Sequence, residues 1–433
     1  MGQSHLLPIL GLLFFSLIPN QLCKICEVSE ENYFRLHPLL STMTNSKYTT
    51  GTQSADVLLS LRLVGIQNQT LIQPLSQQVK KYVGRKGSNL SSGQLALITL
   101  ALGACRTADE IFIYENHLLG HLENKLQAEI ENMKAHDGSP LTNYYQLGLG
   151  VLALCLFRGQ YSTSQVAELF APENKNYYFH GQFTVDTGAM AVLALTCVKR
   201  GLINGQTKTD KKDLRSIDDH IQSLVKKILS EKKENGLIGN TFSTGTAMQA
   251  LFVSSDHYKE SEWNCQQTLD TILKEISQGA FTLPAAAAQV LTTLMGKTYL
   301  DVDKDFSCAS GLGNFNIPSH EPDTTTPPNS PTNISVHYSV KISEIYSTTI
   351  TVPSGSVFLD VMEEARKKNE TVFGFTVEQS SWGPYITSVQ GLKANNNDRT
   401  YWELLSNGRS LSQGVGNYVV HNSEGLEVRW SKY

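Results

Sequence analysis

Polar residues cluster around several densely apolar runs in the first two-thirds of the chain, and they have the side chains that bind ligands. They are amides, phenols and one carboxylate: Asn143, Tyr144, Tyr145, Gln146, Asp186, Asn240 and Gln289. Such a set donates and accepts hydrogen bonds with little charge, so it suits an amide-rich ligand better than a polyanion. The simpler interpretation is that most are helix N-caps, each contributing about 1 kcal/mol, and one residue can fill both roles.

A second group of candidates lies near the C-terminus and is rich in aromatic residues. The stretch 382–385 reads Trp-Gly-Pro-Tyr, and because Gly-Pro marks a turn, we expect Trp382 near the surface. A surface Trp favours burial against a ligand or partner. Tyr401 and Trp402 fit a domain core as well as a binding site.

Catalytic motifs are missing from the sequence. It contains no Gly-x-Ser-x-Gly, P-loop or His-Glu-x-x-His, and no Gly-x-Gly-x-x-Gly opening a helix. The carboxylate pairs Asp218-Asp219 and Glu363-Glu364 fall on the polar faces of predicted helices. We therefore interpret both pairs as solvated surface charge.

The elements that must position the first group are repeated apolar runs rich in Ala and Gly. Polar residues open the runs at 91–105, 142–156, 184–198 and 240–253, and a weaker copy spans 283–296. A recurrence of this kind is typical of stacked two-helix units. Amphipathic segments such as 211–233 lie between the runs, so we predict an α/α barrel with fully buried helices inside an amphipathic outer ring. Its inner-helix starts would share one rim.

The C-terminal part has a different pattern. Residues 309–332 are rich in Pro, Ser, Thr and Gly, which predicts a flexible linker. Segments 333–342 and 346–353 alternate as a β-hairpin does, 355–369 reads as one helix, and further strand patterns follow. This ββαβββ order predicts a small α+β domain over 333–433, of β-grasp type.

Composition and the N-terminus indicate a secreted protein. The chain has 433 residues, a net charge of −4 and 18% charged residues, with no basic stripe for nucleic acid. Residues 6–18 form an apolar run of signal-peptide length, too short for the roughly 20 residues that span a bilayer. We predict a signal peptide over 1–23, a barrel domain over 24–308, no membrane span and an extracellular location.

Cysteines and sequons support that location. Six cysteines remain after residue 23, an even number that suggests disulfides whose pairing the sequence alone does not choose. They are Cys26, Cys105, Cys155, Cys197, Cys265 and Cys308. No metal site is expected, because no Cys-x-x-Cys survives the removal of residues 1–23. Four Asn-x-Ser/Thr sequons predict glycosylation at Asn68, Asn89, Asn333 and Asn369.

With these residues in place, the chain resembles the cobalamin (vitamin B12) transport proteins over essentially its whole length, and within them the haptocorrin branch. The segments that carry the resemblance are 139–147, 185–198, 236–245, 380–391 and 395–406. The resemblance implies an N-terminal α6–α6 barrel, a C-terminal β domain and one corrinoid buried between them. It also implies the disulfides Cys26–Cys265, Cys105–Cys308 and Cys155–Cys197.

The resemblance also implies which residues contact the corrinoid. On the barrel side they would be the seven polar candidates given first. On the β side they would be Ser381, Trp382, Gly383, Pro384, Tyr385, Trp402, Glu403 and Leu404. Amide arms on the corrin rim need donors and acceptors, and the ring edges and nucleotide offer apolar faces to aromatic side chains.

The sequence departs from the family pattern at one place. The transcobalamin branch has a cobalt-ligating histidine just before the segment that begins at Val185. Here Gln182 and Phe183 occupy that stretch, and His180 is out of register. We therefore predict no protein ligand to cobalt, with recognition at the corrin periphery and tolerance of varied corrinoids.

The resulting hypothesis is a secreted, monomeric glycoprotein that carries cobalamin and its analogues without catalysis, cobalamin being cargo. No patch in the sequence identifies a cell-surface receptor. The alternative is a secreted α/α-barrel hydrolase or lyase with a β accessory domain, because this scaffold also hosts enzymes.

Overall fold

The computed structural model describes residues 26–45, 51–66, 68–104, 109–179, 181–205, 211–302, 333–380, 383–395, 397–411, 413–416 and 418–432. The predicted signal peptide 1–23 and linker 309–332 lie outside these residues. Within them, residues 26–302 form a helical domain and residues 333–432 form a β-rich domain.

The helical domain begins with a short 3-10 helix, Glu30–Leu36, and also contains a two-stranded hairpin. Its α-helices are α1 (His37–Asn45), α2 (Gly51–Leu63), α3 (Gln69–Lys86), α4 (Ser92–Gly103), α5 (Glu110–Glu115), α6 (Leu118–Ala135), α7 (Tyr144–Leu156), α8 (Thr163–Leu169), α9 (Val185–Ile203), α10 (Lys211–Ser230), α11 (Ser243–Val253), α12 (Cys265–Ser277) and α13 (Pro284–Leu294). The hairpin strands are β1 (Tyr178–Phe179) and β2 (Gln182–Phe183).

Six of the described helices form a closed inner ring. In order, α2, α4, α7, α9, α11 and α13 each pack on the next, and α13 packs on α2. The remaining long helices alternate with them along the chain and lie outside, α3 on α2, α6 on α4 and α7, and α10 on α9. The predicted α6–α6 barrel is therefore confirmed.

The inner ring forms because its helices are apolar on nearly every side. Every residue of α13 is buried, and in α4 only one residue keeps any exposure. Small residues allow close approach: a Cβ added to Gly148 would lie 2.9 Å from the side chain of Met190 on the neighbouring inner helix. The outer helix α10 buries only one stripe, which includes Ile217, Ile221 and Leu224.

Two disulfides fasten the barrel. One joins Cys26, ahead of the first helical turn, to Cys265 at the start of α12, and the other joins Cys155 in α7 to Cys197 in α9. Both are pairings that the resemblance implies. The third implied pairing, Cys105–Cys308, lies outside the described residues.

The β-rich domain has two sheets packed with a helix. Its elements are β3 (Asn333–Lys341), β4 (Ile345–Pro353), α14 (Phe358–Lys368), α15 (Glu370–Phe373), β5 (Phe375–Ser380), β6 (Gly383–Val389), β7 (Leu392–Lys393), β8 (Thr400–Ser406), β9 (Arg409–Ser410) and β10 (Gly425–Lys432). The larger sheet has the order β4-β3-β10-β8-β9, with β3 and β10 parallel at its centre, and α14 packs on β3 and β4. This is the predicted β-grasp arrangement, with β5, β6 and β7 as a separate three-stranded sheet.

Candidate functional site

The inner helices keep some exposure near their starts, and the residues that do so are polar. In α2, α4, α7 and α9 these residues are Gln53, Asp56, Gln94, Tyr145, Gln146 and Asp186. The rest of each inner helix is buried up to its last turns. The barrel therefore has one concave end lined by amides, a phenol and carboxyl groups.

Side-chain hydrogen bonds show that the helix starts are neighbours. Ser91, at the start of α4, donates from Oγ to Oε1 of Gln146 in α7 at 2.7 Å. Thr246 in α11 donates from Oγ1 to Oδ1 of Asp186 in α9 at 3.2 Å. The predicted shared rim is thus present, and it is held together by the polar residues that line it.

Two of the predicted barrel residues belong to one hydrogen-bonded network, and a third lies beside it. Nε2 of Gln289 donates to Oγ1 of Thr246, which bonds to Asp186, and the phenol of Tyr145 is close enough to Gln289 and Asp186 for both to influence its pKa. Gln289 is only 5% exposed. Thr246 was not among the predicted residues, because a Thr inside a small-residue helix carries no signal until its neighbours across the barrel are known.

The pKa values of the titratable groups in this recess are shifted because the groups are buried. Burial raises the pKa of the Asp186 carboxyl to about 6, against partial opposition from its hydrogen bonds to Thr246 and to its own backbone. Burial also raises the pKa of the Tyr145 phenol well above its usual value, and nearby Tyr299, Asp186 and Asp56 add to the effect. Near neutral pH this recess offers uncharged donors and a carboxyl group that can change its protonation state.

Two other predicted residues accept backbone N–H groups at the rim, Asn143 as the N-cap of α7 and Asn240 in the turn before α11. Oδ1 of Asn143 accepts the N–H of Gln146 at 2.9 Å, and Oδ1 of Asn240 accepts the N–H of Phe242 at 2.8 Å. Both residues are exposed. Asp186 is not a cap, because Thr184 occupies the N-cap position of α9.

The side chain of Tyr144 lies elsewhere, and its predicted corrinoid contact stays a prediction. It is 2% exposed, and its hydroxyl donates to the carbonyl of Leu169 at 2.9 Å. Its ring packs edge-on against Phe170 and Tyr177. The Tyr144 ring therefore faces away from the recess, whereas Tyr145 and Gln146 keep partial exposure near the start of α7.

On the β side, Tyr385 is the most accessible candidate. Its side chain is 47% exposed on strand β6, and its hydroxyl donates to Oε2 of Glu378 on the neighbouring strand at 2.9 Å. Pro384 precedes it with partial exposure. Ser381 and Trp382 lie outside the described residues.

The remaining β-side candidates lie on strand β8. The ring of Trp402 is 6% exposed and packs on Trp430 at 4.9 Å between ring centroids, so it belongs to the domain core, and its predicted corrinoid contact stays a prediction. Strand alternation turns Glu403 to the other face, where it accepts a hydrogen bond from Ser431 at 2.8 Å. Leu404 is partly buried against the core.

The two domains touch along one edge. Nδ2 of Asn132, near the end of α6, donates to Oδ1 of Asn397 at 2.8 Å. The ring of Phe179 in β1 meets Tyr401 edge-on at 5.0 Å between centroids. The hairpin that leads into α9, and hence to Asp186, therefore contacts the start of the strand that carries Trp402 to Leu404.

Metal ligation has no support within the described ranges. Among those residues, no three His, Cys, Asp or Glu side chains form a group that could hold a metal ion. His180 lies outside them, while Gln182 is exposed and Phe183 is buried. In the same ranges, no helix is long and apolar enough to cross a membrane.

Comparisons with known proteins show which proteins this chain is similar to. The sequence profile of the family described as eukaryotic cobalamin-binding protein matches residues 8–329, and a domain of unknown function matches 355–432. Transcobalamin-1 of Homo sapiens is 68% identical over 433 residues, covering 100% of both chains. Cobalamin binding intrinsic factor of Homo sapiens is 34% identical over 90% of both chains. A crystal structure of haptocorrin in complex with Cbi is 66% identical, with a TM-score of 0.87 over 95% of this chain and 100% of that one.

Proposed function

The chain belongs to the eukaryotic cobalamin-binding protein family, and from this premise we propose that it binds and transports cobalamin and other corrinoids. We further propose that one ligand is enclosed between the barrel and the β domain. The resemblance to the haptocorrin branch agrees with the comparisons. The protein is a carrier and not an enzyme, so the hydrolase or lyase alternative is set aside.

The observation that carries the proposal is the polar lining of the barrel's concave end. The partly exposed residues near the inner-helix starts are mainly amides and a phenol, and the Asp186 carboxyl has a pKa near neutrality. Corrin rims carry many amide arms, and each arm needs both a donor and an acceptor. A recess lined mainly by uncharged hydrogen-bonding groups, with carboxyl groups as its remaining members, meets that need without attracting polyanions.

The β domain supplies the other half of the proposed site. Tyr385 offers an exposed aromatic face, and Pro384 beside it is partly exposed. Enclosure between two domains removes the ligand from water on both sides, which acts mainly on the dissociation rate. We propose that the described barrel candidates other than the Tyr144 side chain, together with the stretch 381–385, contact the corrinoid.

Secretion is part of the proposal. The apolar run 6–18 supports a signal peptide, and two disulfides suit an oxidising compartment. The four sequon asparagines Asn68, Asn89, Asn333 and Asn369 are all exposed, as glycosylation requires. We expect a monomer, and delivery to cells would require a receptor.

The main test is stoichiometric binding. Purified protein is mixed with cobalamin and desalted, and we expect a red complex with one corrinoid per chain, eluting at monomer size. Elution of all corrinoid in the small-molecule fraction would refute the proposed function. A dimeric elution volume would refute only the expected oligomeric state.

The absence of a protein ligand to cobalt has its own test. We expect aquocobalamin bound to the protein to keep the absorption spectrum of a water-ligated cobalt. A spectrum characteristic of imidazole ligation that disappears in His180→Ala would contradict this part of the proposal while leaving binding intact.

A further inference from the structure

Asp56 stands out on the inner helix α2. Every residue of this helix is buried except Gln53 and Asp56, which lie one turn apart and thus on the same face. Helix α3 covers α2 from outside, while α4 and α13 flank it in the ring. The face that carries Asp56 is therefore the one turned to the interior of the barrel.

One oxygen of this carboxyl group has no hydrogen-bond partner among the described residues. Oδ2 of Asp56 is buried, and within the described part of the chain no group hydrogen-bonds to it. An unpaired buried polar atom costs about 1–3 kcal/mol, and native proteins contain few of them. A carboxyl group held in this way on the wall of a recess indicates a partner from outside the chain.

Asp56 belongs to the same recess as the residues already described. Burial raises the pKa of Asp56 well above its usual value. Its charge in turn acts on the phenols of Tyr145 and Tyr299, raising the pKa of both. Tyr145 also senses Asp186, so these side chains surround one volume.

Resting on the proposed function, we propose that Asp56 contacts the corrinoid as a neutral carboxylic acid paired with one peripheral amide. The acid O–H donates to the amide carbonyl oxygen, and the acid carbonyl accepts the amide N–H. A carboxylic acid matches both halves of a primary amide at once, whereas an ionised carboxylate only accepts. The contact extends the binding surface to the inner helix α2, which none of the predicted contacts reaches.

The test compares three proteins: the wild type, Asp56→Val and Asp56→Asn. Val removes both the donor and the acceptor at similar volume, and Asn keeps both. We expect Asp56→Val to raise the dissociation constant for cobalamin about tenfold or more, and Asp56→Asn to stay within about threefold of the wild type. Equal affinity of Asp56→Val and the wild type would overturn the inference.

A second readout separates a ligand contact from a structural role. Because Oδ2 is unpaired, Asp56→Val should raise the melting temperature of the ligand-free protein while weakening binding. A matched control is Thr196→Val in α9, which also removes a buried oxygen without a hydrogen bond in the described structure. This control should leave affinity unchanged. The contact would be refuted if Asp56→Val had a lower melting temperature and its affinity fell only as far as that loss of stability accounts for.

The amide partner can be identified with cobalamin derivatives in which one peripheral amide at a time is hydrolysed to the acid. One derivative should bind the wild type more weakly than cobalamin, and Asp56→Val should abolish that difference. If no derivative shows such coupling, the pairing is wrong. If the wild type binds no cobalamin at all, the proposed function fails first, and the two failures are distinguishable.

Discussion

Thr142 donates two hydrogen bonds to the carboxylate of Glu129, from its hydroxyl to Oε1 at 2.6 Å and from its backbone N–H to Oε2 at 3.0 Å. Ser92, at the start of α4, donates to the same Oε1 at 2.8 Å. Glu129 lies on the outer helix α6 and is 2% exposed. It therefore fixes the backbone just before Asn143 and ties two inner-helix starts together.

Glu129→Gln should loosen that end of the barrel. The amide nitrogen would face donors that now meet a carboxylate oxygen, and we expect the free energy of unfolding to fall by about 2–3 kcal/mol. Cobalamin should also dissociate faster from the variant. Chemical denaturation and a dissociation time course measure the two effects. Glu131→Gln, exposed on the same helix, is the matched control, and equal effects of both changes would contradict this role.

Asp186→Asn should change how stability depends on pH. The carboxyl has a pKa of 3.8 in the unfolded chain and about 6 in the fold. The folded state therefore retains a proton that the unfolded state has lost, so this contribution is fully present below about pH 4 and is lost as pH rises through 6. Asn does not ionise, so the variant does not lose this stability as the pH rises. Relative to the wild type, the variant should gain about 1–3 kcal/mol between pH 4 and pH 7.

Denaturation of the ligand-free proteins at both pH values checks this expectation. The comparison isolates Asp186, because Asp56 is present in both proteins. A constant difference between variant and wild type across the range would show that the Asp186 carboxyl titrates as it does in the unfolded chain.

Tyr385→Ala should accelerate ligand release with little change in the stability of the free protein. The ring is nearly half exposed, so its loss removes few contacts within the domain. We expect the dissociation rate of cobalamin to rise about tenfold and Tyr385→Phe to keep most of the retention. Tyr346→Ala is a close control, since Tyr346 is also exposed and donates to a glutamate, Glu344, at 2.8 Å. Equal dissociation rates for the two Ala variants would argue against Tyr385 as a contact.

Removing the disulfide Cys26–Cys265 should destabilise the barrel more than removing Cys155–Cys197. The first closes a loop of 239 residues and the second a loop of 42. The loss of chain entropy in the unfolded state corresponds to about 5 and about 4 kcal/mol respectively. Paired Cys→Ser variants and denaturation measure both, and the reverse order would contradict this account.

The barrel was predictable from sequence where its helices are apolar all round, and it was missed where polar side chains are buried. Helix α2 contains Asp56 and Arg62, and no apolar run marked it as the sixth inner helix. Arg62 is buried because it donates to the carbonyl of Leu102 at 3.0 Å and pairs with Asp109. Those partners are distant in sequence, so no local pattern could reveal them.

In the candidate site, too, local sequence predicts some features, while others depend on partners that are distant in the chain. Asn143 is recognisable as a cap from local sequence, and the structure confirms it as the N-cap of α7. The network of Asp186, Thr246 and Gln289 depends on which helices are neighbours across the ring. Helices α5 and α6 are separate because His117 between them adopts a left-handed φ of 51°, which sequence periodicity does not signal.

The parallel pairing of β3 with β10 has a consequence for the order of folding. The first strand of the β domain finds its central partner only in the last strand of the chain. During synthesis the barrel can fold first, because the β domain cannot form its central strand pair until the last residues of the chain have been made. The two domains that contact the cargo therefore fold one after the other. A truncation that removes β10 would leave a folded barrel without a folded β domain.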